Sequence, residues 1–235
     1  MTARVFAAPP TPGARTVLDD TESHYLRRVR RLADGAALEL IDDAGELWSA
    51  TLVGGDARRS ELQVHARLPA IAPARELVLL LGLPDPAATL ELLPGIVELG
   101  VAAVVWVRCA RSQSGPPGDA RVQRVVRAAQ RQCGRPRPPA FLGPLGLAEA
   151  AAVRTDLRGF FAWEAHRGHD PAGEPGAAFA GGARLCVGPE GGFTEAEAEA
   201  LTRAGCTPLG LGPYTLRTPT AALVGLARLL FAPSP

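Results

Sequence analysis

The sequence predicts a small all-β domain followed by a larger α/β domain built on a parallel sheet, and three observations predict it. Between Leu38 and Leu68, three short runs of strand-like composition are separated by turn-like segments. Around Pro69–Arg75 the composition shifts to PAIAPAR, which reads as a linker. Beyond it, continuous apolar runs alternate with helical patterns, as expected for strands buried on both faces of a parallel sheet. The division falls at 72/73, giving domains 1–72 and 73–235.

In the first part, HYLRRVRR (24–31) reads as an Arg-rich helical piece. LELI, LWSATLV and ELQVHARL read as strands, joined through DDAG and GGDARR. In the second part, ELVLLLGL (76–83) and AAVVWV (102–107) are buried strands. A helix over 86–99 lies between them, though Pro94 and Gly95 fit it poorly. The next helix runs from Asp119, its expected N-cap, to Cys133, with Gly134 just past its end. Its apolar face is Val122, Val125, Val126 and Ala129, and Arg121, Arg124 and Arg131 line another.

LRGFFAW (157–163), RLCVG (184–188) and TPLGL (207–211) complete the set of strands. Thr194 and Glu197 have capping-box spacing and open a helix that ends near Gly205. Thr218 is the expected cap of the last helix, with Pro219 at its first position. RPRPPAF and AGEPGAAFAGGA (172–183) read as biased loops.

Composition narrows the function classes. The chain has 235 residues, 47% hydrophobic and 21% charged, enough for a buried core and a solvated surface. No apolar run approaches the roughly 18–20 residues that span a bilayer, and the N-terminus lacks a secretory apolar stretch. The expected location is cytoplasmic, with no membrane partner. Cys109, Cys133, Cys186 and Cys206 form no close pair and lie beside apolar residues, so they read as small hydrophobes and no metal is expected. His166 and His169 form an isolated H-x-x-H that reads as a solvated loop. Net charge is +1 and every basic charge is arginine, so only local clustering of arginine bears on nucleic acid. The cluster at 24–31 is open to two readings, an RNA contact or a solvated helix face.

Two segments carry chemistry. In RLCVGPEGGFTEAEAEAL (184–201), a buried strand ends in Gly188-Pro189-Glu190-Gly191-Gly192 and a capped helix follows. Glycines allow a ligand to approach backbone N–H groups, and the helix start offers more donors. Glu190 argues against a plain phosphate cradle. In LGLGPYTLRTPTAAL (209–223), a second strand-to-helix turn carries a single arginine, Arg217. Two such loops at the carboxyl ends of parallel strands suit a small-molecule site.

GPEGGF-T-x-x-E followed by LG-x-x-x-LRT-x-TA resembles the RsmE-type methyltransferases, which make N3-methyluridine in 16S ribosomal RNA. His24–Arg30, Glu98-Leu99-Gly100-Val101 and Gln132-Cys133-Gly134-Arg135 add weaker likenesses. The resemblance implies a PUA-like β-barrel domain followed by a SPOUT-type α/β trefoil-knot domain, and a homodimer. It implies S-adenosylmethionine held by Gly188, Glu190, Gly191, Gly192, Leu211, Gly212, Leu216 and Arg217, with Thr220 nearby. Arg217 is the candidate catalytic residue, stabilising charge on the target base. His24, Arg27, Arg28, Arg30 and Arg31, with Arg111 and Arg135, are the candidates for gripping 16S rRNA or the small ribosomal subunit. The chain departs from the family pattern at Pro94, Gly95, Ala110, Tyr214 and Pro219. Two alternatives therefore stand beside the enzyme: a non-catalytic RNA-binding relative, or a methyltransferase for a different RNA nucleotide.

Overall fold

Alternation of apolar and polar residues in the first 72 residues builds a sheet buried on one face. The computed structural model describes residues 2–166 and 181–233. His169 and most of the biased stretch 172–183 lie outside the described residues. The N-terminal strands are β1 (Arg4–Ala7), β2 (Arg15–Val17), β3 (Ala37–Asp42), β4 (Leu47–Gly55) and β5 (Ser60–Leu68). They form one mixed sheet in the order β1-β3-β4-β5-β2. Only β1 and β3 pair in parallel. Val5, Leu38, Leu40, Leu52, Leu62 and Val64 form the core beneath it, together with Leu18 and Leu26. The expected DDAG turn is closed by Asp42, whose carboxylate accepts from Ala44 N, Glu46 N and Trp48 Nε1 at 2.8–2.9 Å.

The Arg-rich piece begins earlier than the sequence suggests. Helix α1 (Asp20–His24) is capped by the Asp19 carboxylate and continues into a π-helical turn over Tyr25–Val29. Arg127–Pro138 belong to this N-terminal unit as well. The unit therefore takes in the second half of α3 (Asp119–Cys133). Arg131, on the arginine face of the helix, makes two bonds of 2.6 and 2.8 Å to the buried Glu22 carboxylate and stacks over Tyr25. Arg4 donates to the carbonyls of Arg131 and Gln132, satisfying the exposed end of the helix.

The remaining residues form a second unit on a six-stranded sheet. Its strands are β6 (Leu77–Gly82), β7 (Ala103–Arg108), β8 (Ala140–Gly146), β9 (Arg158–Ala162), β10 (Ala183–Val187) and β11 (Cys206–Leu209). All neighbours pair in parallel, in the order β11-β9-β10-β6-β7-β8. β6 and β10 are buried along their whole length, as their unbroken apolar sequences require. Helices α2 (Pro86–Glu98), α4 (Leu147–Ala151), α5 (Glu195–Arg203) and α6 (Thr218–Leu230) belong to this unit.

The helix expected over 86–99 is present, and three other expectations are corrected. α2 runs through Pro94 because Leu92, Leu93, Ile96 and Val97 are all buried. Gly95 leaves room for Leu223 of α6, which would stand 2.5 Å from a Cβ there. Asp119 is the first residue of α3 and not its cap. Thr218 lies inside α6, and the cap position falls to Arg217, whose side chain makes no capping bond. Cys133 is exposed, whereas the other three cysteines are buried. Among the described residues no helix is long and apolar enough to cross a membrane.

Candidate active site

Three neighbouring parallel strands end at one cleft. It measures about 510 Å³ and lies past the carboxyl ends of β9, β10 and β11. In this sheet β10 lies between β6 and β9, although β6 leads on to β7 in one direction and β10 leads on to β11 in the other. Such a reversal leaves a crevice at the strand ends, the usual ligand position in open α/β sheets.

The first loop of the cleft, 188–192, is built by close backbone packing. Gly192 has φ +68°, a left-handed value that a side chain strains, and its N–H donates to Pro189 O at 2.8 Å. Gly82, at the end of β6, touches the loop so closely that a Cβ there would lie 2.8 Å from Pro189 Cδ. Four further bonds hold the loop or its flank. Thr218 Oγ1 donates to Gly188 O (3.2 Å), Arg111 Nη1 to Gly191 O (2.6 Å), Asp85 N to Glu190 Oε1 (3.0 Å) and Ala110 N to Glu197 Oε1 (2.7 Å). Thr194 and Glu197 make the expected capping box, so the loop leads directly into α5.

The second loop, 210–217, is tied back by Arg228 of α6, which donates to Gly210 O. Gly212 has φ +118°, open almost only to glycine. Arg217 has an extended backbone at the helix cap, and its exposed guanidinium has no hydrogen-bond or ion-pair partner among the described residues. Helix α6 thus presents a free cation at the cleft. A polar end of this kind against walls such as Leu209, Leu211, Leu216 and Ala221 suits an amphiphilic ligand.

The structure brings Gly188, Glu190, Gly191, Gly192, Leu211, Gly212, Leu216 and Arg217 together around this one cleft. Thr220 is exposed on α6 and does not line it. Tyr214, 80% exposed, stands at the cleft in the second loop. Trp163 and Glu164 also line it, and sequence reasoning missed them. Their signal was position, since they follow β9 directly at the carboxyl edge of the sheet. The Glu164 carboxylate would lie 2.5 Å from a Cβ on Gly192 and has no hydrogen-bond partner among the described residues.

Thiol chemistry has no place here. Burial, with Glu197 nearby, pushes the Cys109 thiol up to about 12, and burial raises Cys186 and Cys206 as well. These groups stay neutral thiols at physiological pH. Among the described residues no cluster of metal-ligating side chains occurs.

The RNA candidates divide by environment. Arg111 belongs to the cleft as a loop-positioning residue. Arg27 is largely buried and bonds Asp34 (2.5 Å), the carbonyls of Leu32, Gly54 and Gly55, and Ser60 Oγ. It stabilises the fold, which the reading of 24–31 as pure RNA contact leaves out. His24, Arg28, Arg30 and Arg31 are exposed. Arg135 is half-buried, and burial lowers its pKa from the usual arginine value.

A family model of the RNA methyltransferase domain matches residues 72–230. The chain belongs to that family. A model of the RNA methyltransferase PUA domain matches residues 18–64, within the β-rich unit. The ribosomal RNA small subunit methyltransferase E of Mycobacterium tuberculosis is 35% identical over 230 residues, spanning 92% of this chain and 86% of that protein. The protein of the same name from Synechocystis is 28% identical, over 97% of this chain and 77% of its own length. Among solved structures, ribosomal RNA small subunit methyltransferase E from Neisseria gonorrhoeae, bound to S-adenosyl methionine, superposes with a TM-score of 0.84. At 24% identity, over 97% of this chain and 96% of that one, it attests the shared fold. The methyltransferase family thus has its PUA-type β unit ahead of a parallel-sheet α/β unit, as the sequence led us to expect.

Proposed function

We propose that this protein transfers the methyl group of S-adenosylmethionine to N3 of a uridine in the 16S ribosomal RNA of the small subunit. The observation that carries the reading is the cleft itself, two glycine loops at the carboxyl edge of a parallel sheet with an unpartnered arginine beside them. Relatives named for small-subunit ribosomal RNA methylation support the substrate.

The residues present fit the cofactor. Adenine asks for apolar walls and backbone hydrogen bonds, which Leu209, Leu211, Leu216 and the two loops supply. When bound, S-adenosylmethionine supplies an electrophilic methyl on a sulfonium. The protein's task is to hold that methyl in line with the exposed base, exclude water and offset the negative charge that develops when uridine N3 loses its proton. Arg217 is the group placed to offset it. Its backbone caps α6 while its guanidinium is uncommitted, so no internal bond has to break as charge forms. Gly188, Glu190, Gly191, Gly192, Leu211, Gly212 and Leu216 bind the cofactor, with Thr220 at the margin. His24, Arg28, Arg30 and Arg31 meet RNA, with Arg135 assisting.

The reading includes a homodimer, a cytoplasmic location, the 72/73 domain division and a trefoil knot in the α/β unit. Support for the knot is that β10 lies between β6 and β9, while α6 packs on β6, β10 and α2. Methyl transfer from labelled S-adenosylmethionine to small subunits lacking the modification tests the activity, and mapping the product nucleotide tests the position. Transfer to another nucleotide would replace the substrate. Absence of transfer, with RNA binding intact, would make this a non-catalytic RNA-binding relative.

A further inference from the structure

Most arginines of the N-terminal unit are committed. Arg4 pairs with Glu39, Arg15 with Glu61, Arg67 and Arg137 with Glu46, and Arg131 with Glu22. Arg28, Arg31, Arg58 and Arg59 make no such pair among the described residues, and the two segments that carry them are tied together. Arg27 reaches from the π-helical turn to the carbonyls of Gly54 and Gly55 and to Ser60 Oγ, so it ties the 25–34 segment to the hairpin turn between β4 and β5. A second tie runs alongside, since Ser60 N donates to Ser23 Oγ at 2.8 Å. The two segments therefore present one surface.

The turn is built to hold a shape. Gly55 has φ +81°, and a Cβ there would collide with Arg59 O at 1.9 Å. Asp56 accepts from the N–H groups of Arg58 and Arg59 at 2.8 and 3.0 Å, bonds that hold its carboxyl below the usual aspartate range. Ser60 Oγ closes the turn onto Asp56 O at 2.8 Å. Arg58 and Arg59 are exposed at its tip.

Charge is unbalanced on this surface. Residues 27–34 and 54–60 hold six arginines against two aspartates. Asp34 is committed to Arg27, and Asp56 to backbone N–H groups. Arg28, Arg31 and Arg59 have no side-chain partner among the described residues, and Arg58 has only the field of Asp56. Arginine is the basic residue throughout the chain, yet these four lack a side-chain bond among the described residues while Arg4, Arg15, Arg67, Arg131 and Arg137 each have a carboxylate partner.

We propose that the β4–β5 hairpin tip, through Arg58 and Arg59, forms with Arg28 and Arg31 a single surface for the phosphodiester backbone of RNA. It rests on the reading of the chain as an RNA methyltransferase and extends its RNA contact to a segment outside 24–31. The guanidinium forks match phosphate oxygens two at a time, and a turn fixed in advance loses little entropy on binding. Arg27 is the strut that joins the two halves.

The test uses the full chain and a fluorescently labelled fragment of 16S rRNA, titrated over a series of salt concentrations. The double variant Arg58→Ala/Arg59→Ala should bind about tenfold more weakly at moderate salt. Its plot of log affinity against log salt should be shallower by about 1.4–1.8, two phosphate contacts' worth. Thermal unfolding and S-adenosylmethionine affinity should not move. Lysine at both positions should restore the slope but not all of the affinity. An unchanged slope in the folded double variant, with wild type binding normally, overturns the surface and leaves the methyltransferase reading intact. A labelled polyglutamate peptide is titrated alongside. If wild type binds it and the double variant loses that binding with RNA affinity untouched, the surface serves an acidic protein partner and the proposal is overturned. Wild-type protein that binds no RNA removes both readings.

Discussion

The cleft and the arginine surface recognise their ligands by opposite means. In the loops 188–192 and 210–217 the working groups are backbone atoms, and what matters is the absence of side chains at Gly82, Gly188 and Gly192. On the 25–34 and 54–60 surface the working groups are the ends of long side chains, held in place by one arginine that does not reach out. The first arrangement is set by sterics and fails steeply when an atom is added. The second is set by a count of charges and fails by degrees, with salt deciding how much each charge is worth.

The comparison breaks most sharply at Gly192. Valine there must adopt φ +68° and bring its Cβ to within 2.5 Å of the Glu164 carboxylate. The backbone strain, about 1–2 kcal/mol, is carried by free and bound protein alike and lowers stability. A branched side chain in the cleft loop, by contrast, obstructs the cofactor, so S-adenosylmethionine affinity should fall by roughly 100-fold in calorimetry. Gly191 is the weaker position for this test, because a Cβ there faces Arg111. Wild-type affinity in Gly192→Val would show that the cofactor does not use this loop.

Arg217 is the exception inside the cleft, a side chain among backbone donors. Arg217→Ala should lower the methylation rate by about 10²-fold, the scale for losing one charge-stabilising donor, while cofactor affinity changes far less. A wild-type rate would end its catalytic assignment. Lysine should rescue poorly, since a single ammonium lacks the two-pronged contact.

On the charged surface, Arg27 should behave unlike its neighbours. Arg27→Ala removes several largely buried bonds and should lower unfolding stability by about 2 kcal/mol in urea titrations. Replacing Arg28 and Arg31 together should leave stability nearly unchanged and flatten the salt dependence of RNA binding. Equal stability losses in both variants would erase the distinction between strut and contact.

The smallest effect concerns pH. Burial raises the Glu22 carboxyl above its ordinary value of 4.5, and Arg131 offsets only part of that shift. The folded protein therefore holds this proton to higher pH than the unfolded chain does. The resulting contribution to stability is full below about 4.5 and is lost as pH rises through the raised value. Unfolding measured across that window should show a shallow decline that Glu22→Gln removes. An identical pH profile in the variant would refute it.

Local chemistry alone determined much of this protein. The Thr194–Glu197 capping box, the unbroken apolar strands, the two glycine loops and the arginine-rich turn are short-range patterns, and each was legible without a partner in view. β1, β2 and β8 were not. Two of them are only three or four residues long, and the third has Gly143 and Pro144 inside it, so their hydrogen bonds exist only once a neighbouring strand supplies them. The same limit explains the site. The sequence shows that residues 24–31 are rich in arginine, yet Arg27 and Arg28 differ only in what lies across from them. Thr218 looks like a cap until the carbonyl of Gly188, thirty residues earlier, is found 3.2 Å from its hydroxyl. Arg111 and Glu164 come to the first loop from other strand ends for the same reason. Periodicity and capping are fixed by neighbours in the chain. Only the tertiary structure decides which polar atoms are satisfied inside the fold, because their partners are distant in sequence, and the groups it leaves unsatisfied are the ones free to bind.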